Sequence, residues 1–219
     1  MTGTPEGCVL SITNQVIANM KIVASAASLI LATLFFGQAA CAEGDPEAGK
    51  QLGYTCLGCH GIEGYRTAYP SFLVPKLGGQ KAGYLVIALK GYRSGERPHP
   101  TMQAQASSLT DQQIEDVSAY LATLGNETVA AGGSEAQPIQ VAAACVACHG
   151  QNGISINAQW PTLAGQHESY LEHSLREYKS GARSNAIMGA QAALIDEKDI
   201  PLLARYFAGL DGLETTKKE

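Results

Sequence analysis

Large aromatic side chains, methionines and long apolar runs are all scarce in this sequence. Only four Phe and one Trp occur in 219 residues, and no segment alternates β-branched with polar residues as a half-buried strand does. A sheet-built core is excluded on that pattern, and an all-α protein is predicted. The longest apolar run, Ile22 to Phe36, has 15 residues, short of the roughly 20 that a spanning helix requires. Positive charge is also in deficit. The formal net charge is −5, so no nucleic-acid partner is expected.

The apolar run reads instead as the heart of an export signal. Lys21 precedes it, and Ala40-Cys41-Ala42 supplies small residues where a signal peptidase inspects the chain. Residues 1–42 are therefore expected to be a leader cleaved after Ala42, with an uncleaved anchor as the alternative. Met20, directly before Lys21, is a second candidate start. Cys41 is a candidate lipidation site, but Gln38 stands where such signals carry an aliphatic residue. Beyond the leader four cysteines remain, Cys56, Cys59, Cys145 and Cys148, and the motif described next uses them all. No disulfide is expected even in an oxidising compartment.

What the mature chain does have is one motif, twice: Cys56-Leu57-Gly58-Cys59-His60 and Cys145-Val146-Ala147-Cys148-His149. On a helix, residues i, i+3 and i+4 share a face, so two thiols and an imidazole converge on one spot. That is the attachment pattern of a c-type haem, with the thiols adding to the two vinyl groups and the histidine supplying an axial nitrogen. Zinc and thioredoxin-like redox centres also use Cys-x-x-Cys. A four-cysteine zinc site would leave both histidines idle, and a thioredoxin-like centre needs a strand leading into the motif. Two covalently bound haem c groups are the better reading.

The rest of the chain repeats as well. Leu77-Gly78-Gly79-Gln80, Tyr84-Leu85, Leu89, Tyr92, Ser94-Gly95 and Arg97 recur 86 residues later as Leu163-Ala164-Gly165-Gln166, Tyr170-Leu171, Leu175, Tyr178, Ser180-Gly181 and Arg183. Asp45-Pro46 reads as the cap and first residue of a helix. Tyr84 to Tyr92 and Tyr170 to Tyr178 have an amphipathic helical period ending at Gly95 and Gly181. Thr110 with Gln113 forms a capping box for a helix burying Ile114, Val117, Leu121 and Leu124. Its counterpart buries Ile200, Leu203, Ala204, Phe207 and Leu210, and Pro201 keeps it from starting before about Lys198. Small, flexible residues such as Ala130-Ala131-Gly132-Gly133-Ser134 mark a linker. The predicted organisation is an internal duplication: domain 1 over 43–125, a linker over 126–134 and domain 2 over 135–219.

Each copy offers one methionine for the sixth iron position, Met102 and Met188, 42 and 39 residues after their haem histidines. A gap-filling core role is the alternative, but the mature chain has no other methionine, and each follows an irregular segment. The expected axial pairs are His60 with Met102 and His149 with Met188. His99 has no counterpart at Asn185, so His99, His167 and His173 read as solvated surface residues. For Tyr92, Tyr178, Arg97 and Arg183 two roles fit, hydrogen bonds to haem propionates or caps on helices. Charge is uneven, with seven Lys/Arg against eight Asp/Glu in 43–125 and seven against eleven in 126–219. Lys81, Lys90, Arg93 and Arg97 group in domain 1, where an acidic partner is expected.

Taken together, the two haem motifs, the Leu-(Gly/Ala)-Gly-Gln and Tyr-Leu helix, the Tyr-x-Ser-Gly-x-Arg segment and the following Met resemble the dihaem cytochrome c4 family, from about Glu43 to Leu210. The resemblance implies two class I cytochrome c domains about an approximate two-fold axis, with haems facing each other across it. It implies a periplasmic electron carrier rather than an enzyme, soluble or loosely membrane-associated. Its expected partners are redox proteins, a donor such as a quinol–cytochrome c reductase and a terminal oxidase. The alternative is the cytochrome subunit of a dehydrogenase complex, such as a flavocytochrome that oxidises sulfide.

Overall fold

A computed structural model describes residues 44–125, Val129 and 137–216. The leader predicted over 1–42 lies outside the described residues, as does the linker predicted over 126–134 apart from Val129. Helices carry the fold, and the only β pairing among the described residues is two isolated bridges. The first half contains α1 (Pro46–His60), α2 (Ala82–Ser94), α3 (Pro100–Ser107) and α4 (Asp111–Thr123). The second contains α5 (Ala143–His149), α6 (Glu168–Ser180), α7 (Ala186–Ala193) and α8 (Ile200–Ala208). None of them is long and apolar enough to cross a membrane.

The helix ends follow from local chemistry. Asp45 caps α1 by accepting from the Glu47 N–H, and Pro46 takes the first turn, where its missing donor costs nothing. Thr110 and Gln113 form the reciprocal capping box of α4. Gly95 and Gly181 end α2 and α6 in the left-handed conformation, at φ 84° and 78°. Pro201 sits in the first turn of α8, after a short 3-10 turn over Glu197–Asp199. A regular helix therefore begins only at Ile200.

Each half closes around its own apolar cluster. Leu57, Leu85, Val117 and Leu121 fill the first, and Ala142, Leu171, Leu203, Ala204 and Phe207 the second. Leu85, Val117 and Leu121 stand 86 residues before Leu171, Leu203 and Phe207, so the duplication carries the core as well as the motifs. The halves differ at the approach to the haem motif. Long α1 lies across α4, whereas α5 has only seven residues and is preceded by a 3-10 turn over Gln140–Ala142.

The α1–α4 crossing is set by glycines on one face of α1. A Cβ on Gly49 would stand 2.0 Å from the Asp116 carbonyl oxygen, and one on Gly53 would stand 2.6 Å from the Tyr120 ring. Asp116 also accepts from the Asp45 N–H at 2.9 Å, tying the start of α1 to α4. Gly49→Ala should therefore push the helices apart and lower stability by about 1–3 kcal/mol, the usual cost of overpacking a tight core. Denaturant unfolding checks this, and an unchanged midpoint would mean the crossing is looser than drawn.

Candidate functional site

The site is built from helix ends. His60 is the last residue of α1, where the exposed carbonyls of a helix terminus favour a donor, and the residue is 9% exposed. Its Nδ1 lies 2.7 Å from the carbonyl oxygen of Pro75. His149, 5% exposed at the end of α5, repeats the arrangement at 2.9 Å from Pro161. A carbonyl only accepts, so each Nδ1 carries the proton and each Nε2 keeps its lone pair. Burial holds both imidazoles below their ordinary pKa, partly offset by the proline bonds. Both are thus neutral bases with one free nitrogen.

The thiols precede the histidines on the same helices. Cys56, Cys145 and Cys148 are half-buried, Cys59 is exposed, and neither pair is bridged. Burial pushes the Cys56 and Cys145 thiols up, which keeps them protonated. The methionines sit in the first turns of α3 and α7. His99 Nδ1 accepts from the Met102 N–H at 3.2 Å, and Asn185 Oδ1 accepts from the Met188 N–H at 2.9 Å. Each cap fixes a methionine relative to its helix end.

One cavity of about 1350 Å³ joins these parts. Cys56, Cys59, His60 and Met102 line it from the first half, and Cys145, His149 and Met188 from the second. Cys148 is the one predicted site residue outside the lining. Where the halves meet, the cavity is walled by a symmetric pair of contacts that the sequence reading did not foresee. Arg97 donates to Tyr170 Oη at 3.1 Å and to Tyr92 Oη at 3.0 Å. Arg183 donates to Tyr84 Oη at 3.0 Å and to Ser174 Oγ at 3.1 Å. Tyr84 and Tyr170, expected only to mark an amphipathic face, thus bond across the interface; a constant offset shared by an Arg and a Tyr was the available signal.

These two arginines test whether the residues fit a haem. They are 8% and 4% exposed, and among the described residues no carboxylate is bonded to either and the Nε of each has no hydrogen-bond partner. Guanidinium does not shed its proton, and a buried cation without a counter-charge is costly. An anionic group in the cavity would balance the two arginines, and haem propionates are such groups. The charge of the arginines reaches the tyrosines: burial opposes ionisation of Tyr170, but Arg183 and Arg97 outweigh it and bring the phenol to about 8. For Tyr92 burial wins and pushes the phenol up to about 12. Thioether-forming thiols, neutral imidazoles, thioethers and paired cations around one apolar cavity all suit the cofactor.

Several surface expectations change. His99 and His173 are half-buried rather than solvated: Phe72 stacks on His173 with ring centroids 4.3 Å apart and meets His99 edge-on at 6.3 Å. His167 is half-buried at the start of α6. The basic group of domain 1 is largely compensated. Lys90 pairs with Glu115 at 3.0 Å, Arg93 with Asp111 at 2.5 Å, and Arg97 is buried. Lys81 is a half-buried N-cap.

The comparisons agree with this architecture. The family model for cytochrome c matches twice, at residues 46–125 and 135–210. Cytochrome c4 of Pseudomonas aeruginosa is 33% identical over 199 residues, covering 83% of this chain and 96% of the relative. A thiosulfate dehydrogenase electron acceptor of Stutzerimonas stutzeri is 34% identical over 176 residues, 73% of this chain and 81% of that protein. Among solved structures, reduced cytochrome c4 from Pseudomonas stutzeri aligns with a TM-score of 0.60 at 32% identity, over 76% of this chain and 99% of its own. Thiosulfate dehydrogenase from Marichromatium purpuratum aligns at 0.59 and 30% identity over 75% of this chain, which spans only 40% of that longer one. With its doubled domain, its doubled site and these relatives, the chain belongs to the dihaem cytochrome c4 family, electron carriers with two covalently bound haem c groups.

Proposed function

We propose that this protein is a periplasmic one-electron carrier of a respiratory chain and not itself an enzyme. Redox proteins are its partners, with a donor such as a quinol–cytochrome c reductase on one side and a terminal oxidase on the other. In this reading Cys56 and Cys59 hold the first haem and Cys145 and Cys148 the second. His60 with Met102, and His149 with Met188, are the axial pairs. When bound, each haem supplies a one-electron iron couple. The chain's residues would then do the rest: imidazole and thioether would hold each iron, and Arg97 and Arg183 would offer positive charge to the propionates.

The observation that carries the reading is the single cavity lined by seven of the eight proposed residues, from both halves. A pair of redox centres in one shared cavity suits a relay better than two independent sites. A second reading has support of its own in relatives named thiosulfate dehydrogenase electron acceptor and in the longer thiosulfate dehydrogenase chain that contains a similar fold. There the cytochrome would take electrons from a dehydrogenase, and a catalytic subunit would copurify with it from its native source.

Two measurements test the ligand assignment. Denaturing mass spectrometry of the exported protein should give the chain from Glu43 plus two haem groups, and Cys145→Ala with Cys148→Ala should remove one of them. Retention of both would place the second attachment elsewhere. Replacing a soft, neutral thioether by a second imidazole lowers a haem potential, so Met188→His should lower the second potential only, and Met102→His the first only. A stepwise redox titration reads both. Unchanged potentials and an unchanged methionine-to-iron charge-transfer band in Met188→His would make that methionine a core residue.

A further inference from the structure

We propose that Gln80 and Gln166 are positioning residues that act crosswise, each holding the axial histidine of the opposite half. The proposal rests on the histidine ligation proposed above. The chain of contacts starts at His60, whose Nδ1–H donates to the carbonyl of Pro75 at 2.7 Å. That carbonyl and the N–H of Lys76 are the two ends of one peptide group. The Lys76 N–H donates to Gln166 Oε1 at 2.9 Å, and Gln166 Nε2 donates back to the Lys76 carbonyl at 3.0 Å. The second half mirrors it: His149 donates to Pro161, the Thr162 N–H donates to Gln80 Oε1 at 2.8 Å, and Gln80 Nε2 donates to the Thr162 carbonyl at 3.0 Å.

Each glutamine is held rigidly by its own half. Its Oε1 also accepts from the next N–H, Lys81 for Gln80 and His167 for Gln166, at 2.9 and 3.0 Å. Gly79 and Gly165 precede the glutamines at φ 79° and 74°, a left-handed turn that other residues resist. This accounts for the recurrence of Leu-(Gly/Ala)-Gly-Gln in both halves. Both side chains are 4% exposed, so the amide bonds form away from water.

The physical consequence runs through the peptide. A peptide whose N–H is bonded is polarised and accepts more strongly at its carbonyl. A stronger acceptor at Nδ1–H makes the imidazole a better donor at Nε2, which stabilises the oxidised iron and fixes the ring plane. Gln166 therefore tunes the first haem and Gln80 the second, so each domain sets part of its neighbour's potential.

The experiment uses the haem-loaded protein and the variants Gln80→Met and Gln166→Met, which keep length and lose both hydrogen-bonding ends. Gln166→Glu keeps the acceptor. Ser169→Ala is the control, because it removes another cross-half bond, from the Leu73 N–H at 3.0 Å, that does not touch the proline peptides. The near-infrared spectrum of the wild type is recorded first: absence of the His/Met signature overturns the ligand assignment, a result distinguishable from failure of the present proposal. Potentials are then read haem by haem, with exchange rates of the histidine Nδ1 protons in the reduced protein.

Gln166→Met should raise the first haem's potential and speed exchange of the His60 ring proton, on the order of tenfold, leaving the second haem unmoved. Gln80→Met should do the mirror. Gln166→Glu should restore slow His60 exchange, and Ser169→Ala should shift neither haem. In the wild type, reduction of the first haem should shift the Gln166 side-chain amide resonances and reduction of the second those of Gln80, a readout needing no variant to fold. Shifts in a variant's own half, equal shifts in both haems, the same effect from Ser169→Ala, or no crosswise response in the wild type would each overturn the proposal.

Discussion

A buried imidazole has two nitrogens, and this fold commits one of them to the protein so that the other stays free. The proline carbonyl 15 residues beyond His60, or 12 beyond His149, accepts the Nδ1 proton and thereby selects the tautomer. Burial supplies the second condition by disfavouring the charged ring. Much else follows from meeting both at once. The helix must end at the histidine, the loop must return a carbonyl to it, and the methionine helix must border the same cavity.

That space has its own electrostatic requirement. Two guanidiniums are brought inward at the junction of the halves, bonded to phenols and a serine but to no carboxylate among the described residues. Neutral oxygens satisfy hydrogen bonds without balancing charge, so the described residues alone leave the two cations uncompensated. A cofactor with an apolar face and two carboxylates suits both the apolar lining of the cavity and the charge of the arginines. Because Arg97 reaches Tyr170 and Arg183 reaches Tyr84, the same residues also hold the halves together. Cofactor binding and domain docking are thus one energetic problem, in which Phe72 and the two glutamines take part.

What could be read from residues alone was whatever is local or repeated. The haem motifs, the N-caps at Asp45 and Thr110, the left-handed ends at Gly95 and Gly181, and the buried periodicity of α4 and α8 all depend on neighbours within a few positions. The 86-residue offset exposed the duplication and paired Met102 with Met188. What escaped depends on docking. Nothing within the Tyr84 or Gln80 segment says that its partner lies in the other copy, and His99 and His173 looked solvated because Phe72, which covers them, comes from a loop without a period. The segment after Leu210 was also silent, although Leu213 bonds to Ala164 and Glu214 to Gly78, so that the tail ties the two halves. Charge counting along the chain likewise missed the ion pairs of Lys90 and Arg93, which form between helices.

We propose that two haems share one cavity, each iron held by a histidine and a methionine of the same half, with propionates at the arginine pair. The most direct measurement is a crystal structure of the haem-loaded protein with anomalous scattering at the iron edge. Two iron peaks are expected, one between His60 and Met102 and one between His149 and Met188, with propionate oxygens against Arg97 and Arg183. A single peak, an iron bound by His99, or propionates pointing away from both arginines would contradict it.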